Sequence, residues 1–144
     1  MAKSGYEQDF YAWLMEQAAH MRAKKWRALD IDNIAEELEA LGREQRHALR
    51  SHLRILLIHL LKWAYQPERR TEGWCHSIGN ARAEISGRLE MSPSLRRELP
   101  DVVAWAYQRA RRAAANETGT PLETFPETCP WSLERLQDED FLPE

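Results

Sequence analysis

Glycine, proline and cysteine are all scarce in this chain of 144 residues, at 6, 7 and 2. So few glycines and prolines exclude collagen-like and low-complexity architectures and leave long stretches without helix breakers. Cys75 and Cys129 lie far apart, belong to no C-x-x-C motif and read as reduced packing residues, not as a disulfide framework. Long apolar runs are missing as well. The longest, residues 55–61, already contains His59, whereas a membrane span needs about 20 apolar residues. The opening MAKSGYEQDF has no apolar signal segment, so a cytoplasmic location and no membrane association are expected. No stretch alternates like a strand, and no Gly-x-Ser-x-Gly, P-loop or Gly-rich dinucleotide fingerprint is present.

What is present is ordinary for a soluble globular chain: 43 % hydrophobic and 30 % charged residues, with a net charge of −3. The charge is unevenly spread. Residues 1–119 carry 19 basic and 16 acidic side chains, whereas residues 120–144 carry one basic and seven acidic. An acidic tail on a mildly basic body makes nucleic acid an unfavoured partner and can fold back on the body.

The apolar period is helical nearly throughout, which predicts a single all-α domain over residues 1–144. A first helix is expected over 6–25, opened by a Ser4/Glu7 capping box. A long helix over 32–66 starts at the good cap Asp32, has Gly42 as its candidate kink and ends before Pro67. Its inward stripe is taken as Ile34, Leu38, Leu41, Gln45, Ala48, His52, Leu56, His59 and Trp63. Residues 53–61 are apolar on nearly every side and predict the buried centre of a bundle. Thr71 caps a helix over 72–90, and a helix pair follows over 93–118. Gly119 is a fitting terminal cap. Residues 120–144 hold too many apolar anchors for a solvated tail, among them Phe125, Trp131 and Phe141. They predict a docking strap with one short helix after Ser132.

Two constellations carry possible chemistry. Glu44 and His47 have the Glu-x-x-His spacing of a carboxylate-bridged metal site in a bundle, yet they flank the apolar stripe. The second is a corner around Pro67 made of His59, Lys62, Trp63, Trp74 and His76, with Glu37 as a carboxylate that can turn inward. Two imidazoles and a carboxylate are a three-ligand metal set, and one near-neutral imidazole in an aromatic-walled pocket is a general base. The plainer reading is a structural His59 bonded to a carbonyl or carboxylate. No cofactor is evident, and a metal is the one that these residue types allow.

YEQDFYAWL, NIAEELEALGR, HLLKWAYQPERR with Trp74, SPSLR, and the closing FPETCPWSLERLQDEDFLPE resemble, over nearly the whole chain, the bacterial family known as domain of unknown function 29. The resemblance implies a small all-α domain in a bacterial cytoplasm and brings no activity, cofactor or catalytic residue. The expected function is a non-enzymatic protein-interaction or regulatory module, acting on a protein partner or by self-association. The alternatives are a metal-binding protein or small-molecule enzyme centred on His59 and His76, and a nucleic-acid-associated protein.

Overall fold

Every regular element in the computed structural model, which describes residues 5–144, is helical. The chain folds as two compact units, Met1–Glu44 and Gln45–Glu144. The first comprises helix α1 (Gly5–Gln8), helix α2 (Phe10–Arg22) and residues 31–44 of helix α3 (Ile31–Tyr65). Asp9 separates α1 from α2 by accepting the Ala12 N–H at 3.0 Å, so two short helices stand where one was expected over 6–25. A Ser4 cap lies outside the described residues. After α2, Lys24 takes a left-handed conformation (φ 58°), and a turn of 3-10 helix at Trp26–Ala28 leads to α3.

Asp30 holds this unit together. Its carboxylate accepts the Trp13 indole N–H at 3.1 Å and the Asn33 amide at 2.8 Å, while its own N–H donates to the Gln17 side-chain oxygen at 2.8 Å. One residue thus starts α3 and ties it to α2, a role the sequence pattern gave to Asp32. The Asn33 hydrogen bond, helped by that of Trp13, holds the Asp30 carboxyl below its ordinary range against the opposing effect of burial. Tyr6 meets the Trp13 ring edge-on at 4.7 Å. Trp13 and Gln17 are the buried residues of the unit.

The second unit holds residues 45–65 of α3, helix α4 (Glu72–Met91), helix α5 (Leu99–Thr118) and helix α6 (Leu133–Gln137). Its core is made by Leu49, Leu53, Leu56, Leu57, Leu60 and Leu61 of α3 against Ile78, Ile85 and Leu89 of α4 and the small residues Val102, Ala106, Ala110 and Ala114 of α5. The stripe on α3 is therefore rotated from the sequence expectation. Leu38, Leu41 and Gln45 are exposed, and His52 and His59 are only half-buried. Leu53, Leu56, Leu57 and Leu60 set a helical phase that leaves both histidines on its flank. Residues 53–61 do supply buried core residues, Leu53, Leu56, Leu57, Ile58, Leu60 and Leu61, but are not covered on every side, since Ile55 is 37 % exposed.

Trp105 of α5 lies between two guanidinium groups, Arg50 of α3 at 3.5 Å and Arg109 at 3.7 Å from its ring centroid. Two groups so close to one centroid must take opposite faces, and the indole pins α3 to α5. Thr71 caps α4 by accepting the Trp74 N–H at 3.1 Å. Gly119 ends α5 in the left-handed region (φ 68°).

The chain beyond Gly119 lies on the core. Phe125 and Leu136 are fully buried, and Trp131 and Phe141 are half-buried. Its backbone is held by side chains. The Tyr107 hydroxyl donates to the Pro126 carbonyl at 2.5 Å, Gln108 to Glu127 at 2.8 Å and Arg111 to Phe125 at 3.1 Å. Ser132 caps α6 by accepting the Arg135 N–H at 3.2 Å. The buried Arg82 of α4 donates to the carbonyls of Leu136 at 2.9 Å, Phe141 at 2.7 Å and Arg135 at 3.2 Å. The strap of 120–144 is thus built around a cation.

Candidate functional site: an apolar groove

The corner around Pro67 is occupied by cations on aromatic rings. Lys62 sits 4.8 Å from the Trp74 ring centroid and pairs with Glu117 at 3.2 Å, and Gln66 reaches Thr120 at 3.3 Å. Arg70 covers Trp63 at 4.8 Å and donates to its carbonyl at 2.9 Å. The structure therefore brings Lys62 to Trp74, but gives Trp63 and Trp74 a cation each rather than one another. His59 turns back on its own helix, with Nδ1 2.8 Å from the Ile55 carbonyl. His76 is exposed on α4. Glu37 belongs to the first unit, where it accepts a hydrogen bond from the Tyr6 hydroxyl and with it raises the Tyr6 pKa. Glu44 and His47 are exposed. Among the described residues no three of His, Cys, Asp and Glu converge on a point where they could hold a metal ion.

A different place has the form of a binding site. Within the first unit, Trp13, Leu14, Gln17, Ala18 and Met21 of α2 face Ile34, Glu37, Leu38 and Leu41 of α3 across a groove of about 190 Å³. The spacing on each helix follows the i, i+3, i+4, i+7 rule, so one apolar stripe of each helix lines the groove. Its surface is almost wholly apolar, yet Leu38 is 63 % exposed, Leu41 57 % and Met21 40 %. Leaving three large side chains in water forgoes on the order of 1.5–3 kcal/mol for each that could be buried. Residues 31–44 carry five acidic side chains, Asp32, Glu36, Glu37, Glu39 and Glu44, against the single base Arg43. Helical phase puts Asp32, Glu36 and Glu39 on the face opposite Ile34, Leu38 and Leu41, and Glu37 is the one acid that lines the groove. Arg43 is itself paired with Glu36 at 3.2 Å.

The family model described as "Domain of unknown function DUF29" matches residues 6–142. The chain belongs to that family. No curated protein and no solved structure matches it. The family's description assigns no activity, so in this DUF29 chain function rests on the sites themselves. None of its described helices is long and apolar enough to cross a membrane.

Sequence reasoning placed Leu38 and Leu41 on the inward stripe of the long helix and so missed the groove. The signal available was composition: five of the residues in 31–44 are acidic, which leaves few apolar side chains to close a core there. Arg82 was missed in the same way. It stands four residues after Ile78 and three before Ile85, in phase with the apolar face of α4.

Proposed function

We propose that this protein is an interaction module whose first unit docks a basic amphipathic helix of a protein partner. The observation that carries the reading is the α2/α3 groove, apolar in lining and exposed in Leu38 and Leu41, in a helix segment of five acids and one base. Helix-in-groove recognition needs an apolar slot for anchors at i, i+3, i+4 and i+7, and the net charge of the surrounding surface steers the choice of partner. Low core content supports the same reading. A unit of about 40 residues seldom buries enough surface to hold itself without a metal, disulfide or partner, and this one buries Trp13 and Gln17. A docked helix completes its core. The net negative charge of residues 31–44 favours a basic partner over a second copy of the chain, whose own segment would bring like charges together.

The test uses the full chain and two designed amphipathic peptides of about 18 residues, alike in leucine spacing but with Lys or Glu on the polar face. Fluorescence anisotropy should show saturable binding of the Lys peptide, at least tenfold tighter than of the Glu peptide and weakened by salt. Leu38→Glu should abolish it while leaving the thermal midpoint nearly unchanged, because Leu38 is mostly exposed. Equal binding of both peptides, or of wild type and Leu38→Glu, contradicts the proposal. So does a concentration-dependent dimer that Leu38→Glu dissolves, which would make the occupant a second copy.

A further inference from the structure

A second site, independent of the groove, lies between α4 and α6. Arg82, Ile85, Ser86 and Leu89 of α4, Arg96 of the 3-10 turn Pro93–Glu98, and Leu136 and Gln137 of the last helix enclose a cavity of about 140 Å³. Arg82 is 3 % exposed. Three of its five N–H groups are spent on the carbonyls of Arg135, Leu136 and Phe141, which leaves two without a partner, and no carboxylate in contact, among the described residues. Arg96, exposed at the cavity edge, makes no ion pair among the described residues. Asp138 and Glu139 lie near enough to favour the Arg82 charge, but neither lines the cavity, and no other acidic side chain does.

Two guanidinium groups and a hydroxyl share one cavity with Ile85, Leu89 and Leu136, a lining that suits a ligand with an anionic head and a short apolar body. The volume, well below the roughly 300–1,000 Å³ of pockets for drug-sized molecules, limits it to a few heavy atoms. We propose that this cavity binds a small aliphatic carboxylate, its head on Arg82 and Arg96 with Ser86 donating, and its tail on the three aliphatic side chains. Arginine is suited to the head group because its fork matches both carboxylate oxygens. Because Arg82 also holds the strap, a carboxylate beside it adds a negative charge in direct contact, where the fold supplies carbonyl oxygens, with Asp138 and Glu139 acting only from beyond hydrogen-bond distance. Bound ligand should therefore raise the thermal midpoint.

The experiment titrates the full-length protein with n-butyrate, with butyramide as the neutral analogue and with inorganic phosphate as the anion without a tail, following backbone amide resonances by NMR. The expected result is saturable shifts at Ser86, Leu89 and Gln137 with butyrate, and binding at least tenfold weaker for butyramide and for phosphate. Arg96→Gln, at an exposed position, should fold normally and weaken butyrate at least tenfold, and Ser86→Ala should weaken it less. Absence of saturable shifts at these residues overturns the proposal, as does equal binding of butyramide or of the Arg96→Gln variant. Phosphate binding as tight as butyrate overturns the assignment to an aliphatic acid. The outcome is independent of the groove, since none of these residues lies in the first unit.

Discussion

Asp30 shows how much one carboxylate can decide. Its folded pKa is depressed, so the stability it contributes is present above the unfolded value of 3.8 and is lost as pH falls through the lower folded value. Hydrogen-exchange protection factors at α2 and the start of α3 should therefore fall on acidification below about pH 4, and Asp30→Asn should lower them already at neutral pH; unchanged protection would remove Asp30 from this role. Tyr107 has the opposite sign. Burial pushes its phenol up to about 12, so its contribution is complete below the unfolded value of 10.0 and is lost as pH rises towards 12. Tyr107→Phe should flatten the alkaline loss of stability and cost about 1–2 kcal/mol at neutral pH by orphaning the Pro126 carbonyl. An absorbance titration of the phenols, with a denaturation curve for each form, checks both. His59 is simpler. Half-buried and bonded to the carbonyl of Ile55 within its own helix, it ties down no other element, and His59→Leu should cost under about 1 kcal/mol in a thermal melt. The sequence made His59 and Trp63 conspicuous by their leucine neighbours, but the pairing of Asp30 with Trp13, 17 residues earlier, leaves no periodic trace.

Helical elements were legible because periodicity and caps are local. Thr71, Ser132 and Gly119 could be read as caps, and they occupy those positions. Gly119→Ala should cost about 1 kcal/mol through its backbone conformation alone, since a methyl group there would meet nothing within 4 Å. The docking of residues 120–144 was legible from Phe125, Trp131 and Phe141, because burial is the only economical place for such side chains. How the strap is held was not. Tyr107, Gln108, Arg111 and Arg82 grip carbonyl oxygens, and a carbonyl is the same in every sequence. Chains ended at Gly119 should lose the cooperative thermal transition, because Phe125 and Leu136 leave the core and the Arg82 charge stays behind without its three acceptors. A sharp melt near the full-length midpoint would contradict that. The phase of α3 was misread because one stripe was traced through both units, whereas 45–65 obeys its leucine core and 31–44 does not.

For the whole molecule, the decisive contrast is between a second unit with a dense leucine and alanine core and a first unit that leaves Leu38 and Leu41 in water. On the proposed function, stability and recognition are divided along the chain. Low local stability is what a segment completed by a partner requires. The charges follow the same division, with five acids and one base along residues 31–44. The most direct test is NMR on full-length protein with methyl-labelled leucine and methionine, titrated with the Lys-faced amphipathic peptide. Saturable shifts confined to Leu14, Met21, Leu38 and Leu41, absent with the Glu-faced peptide, are the predicted result. Shifts centred on the leucines of 49–61, or none at either peptide, would contradict a docking groove on the first unit.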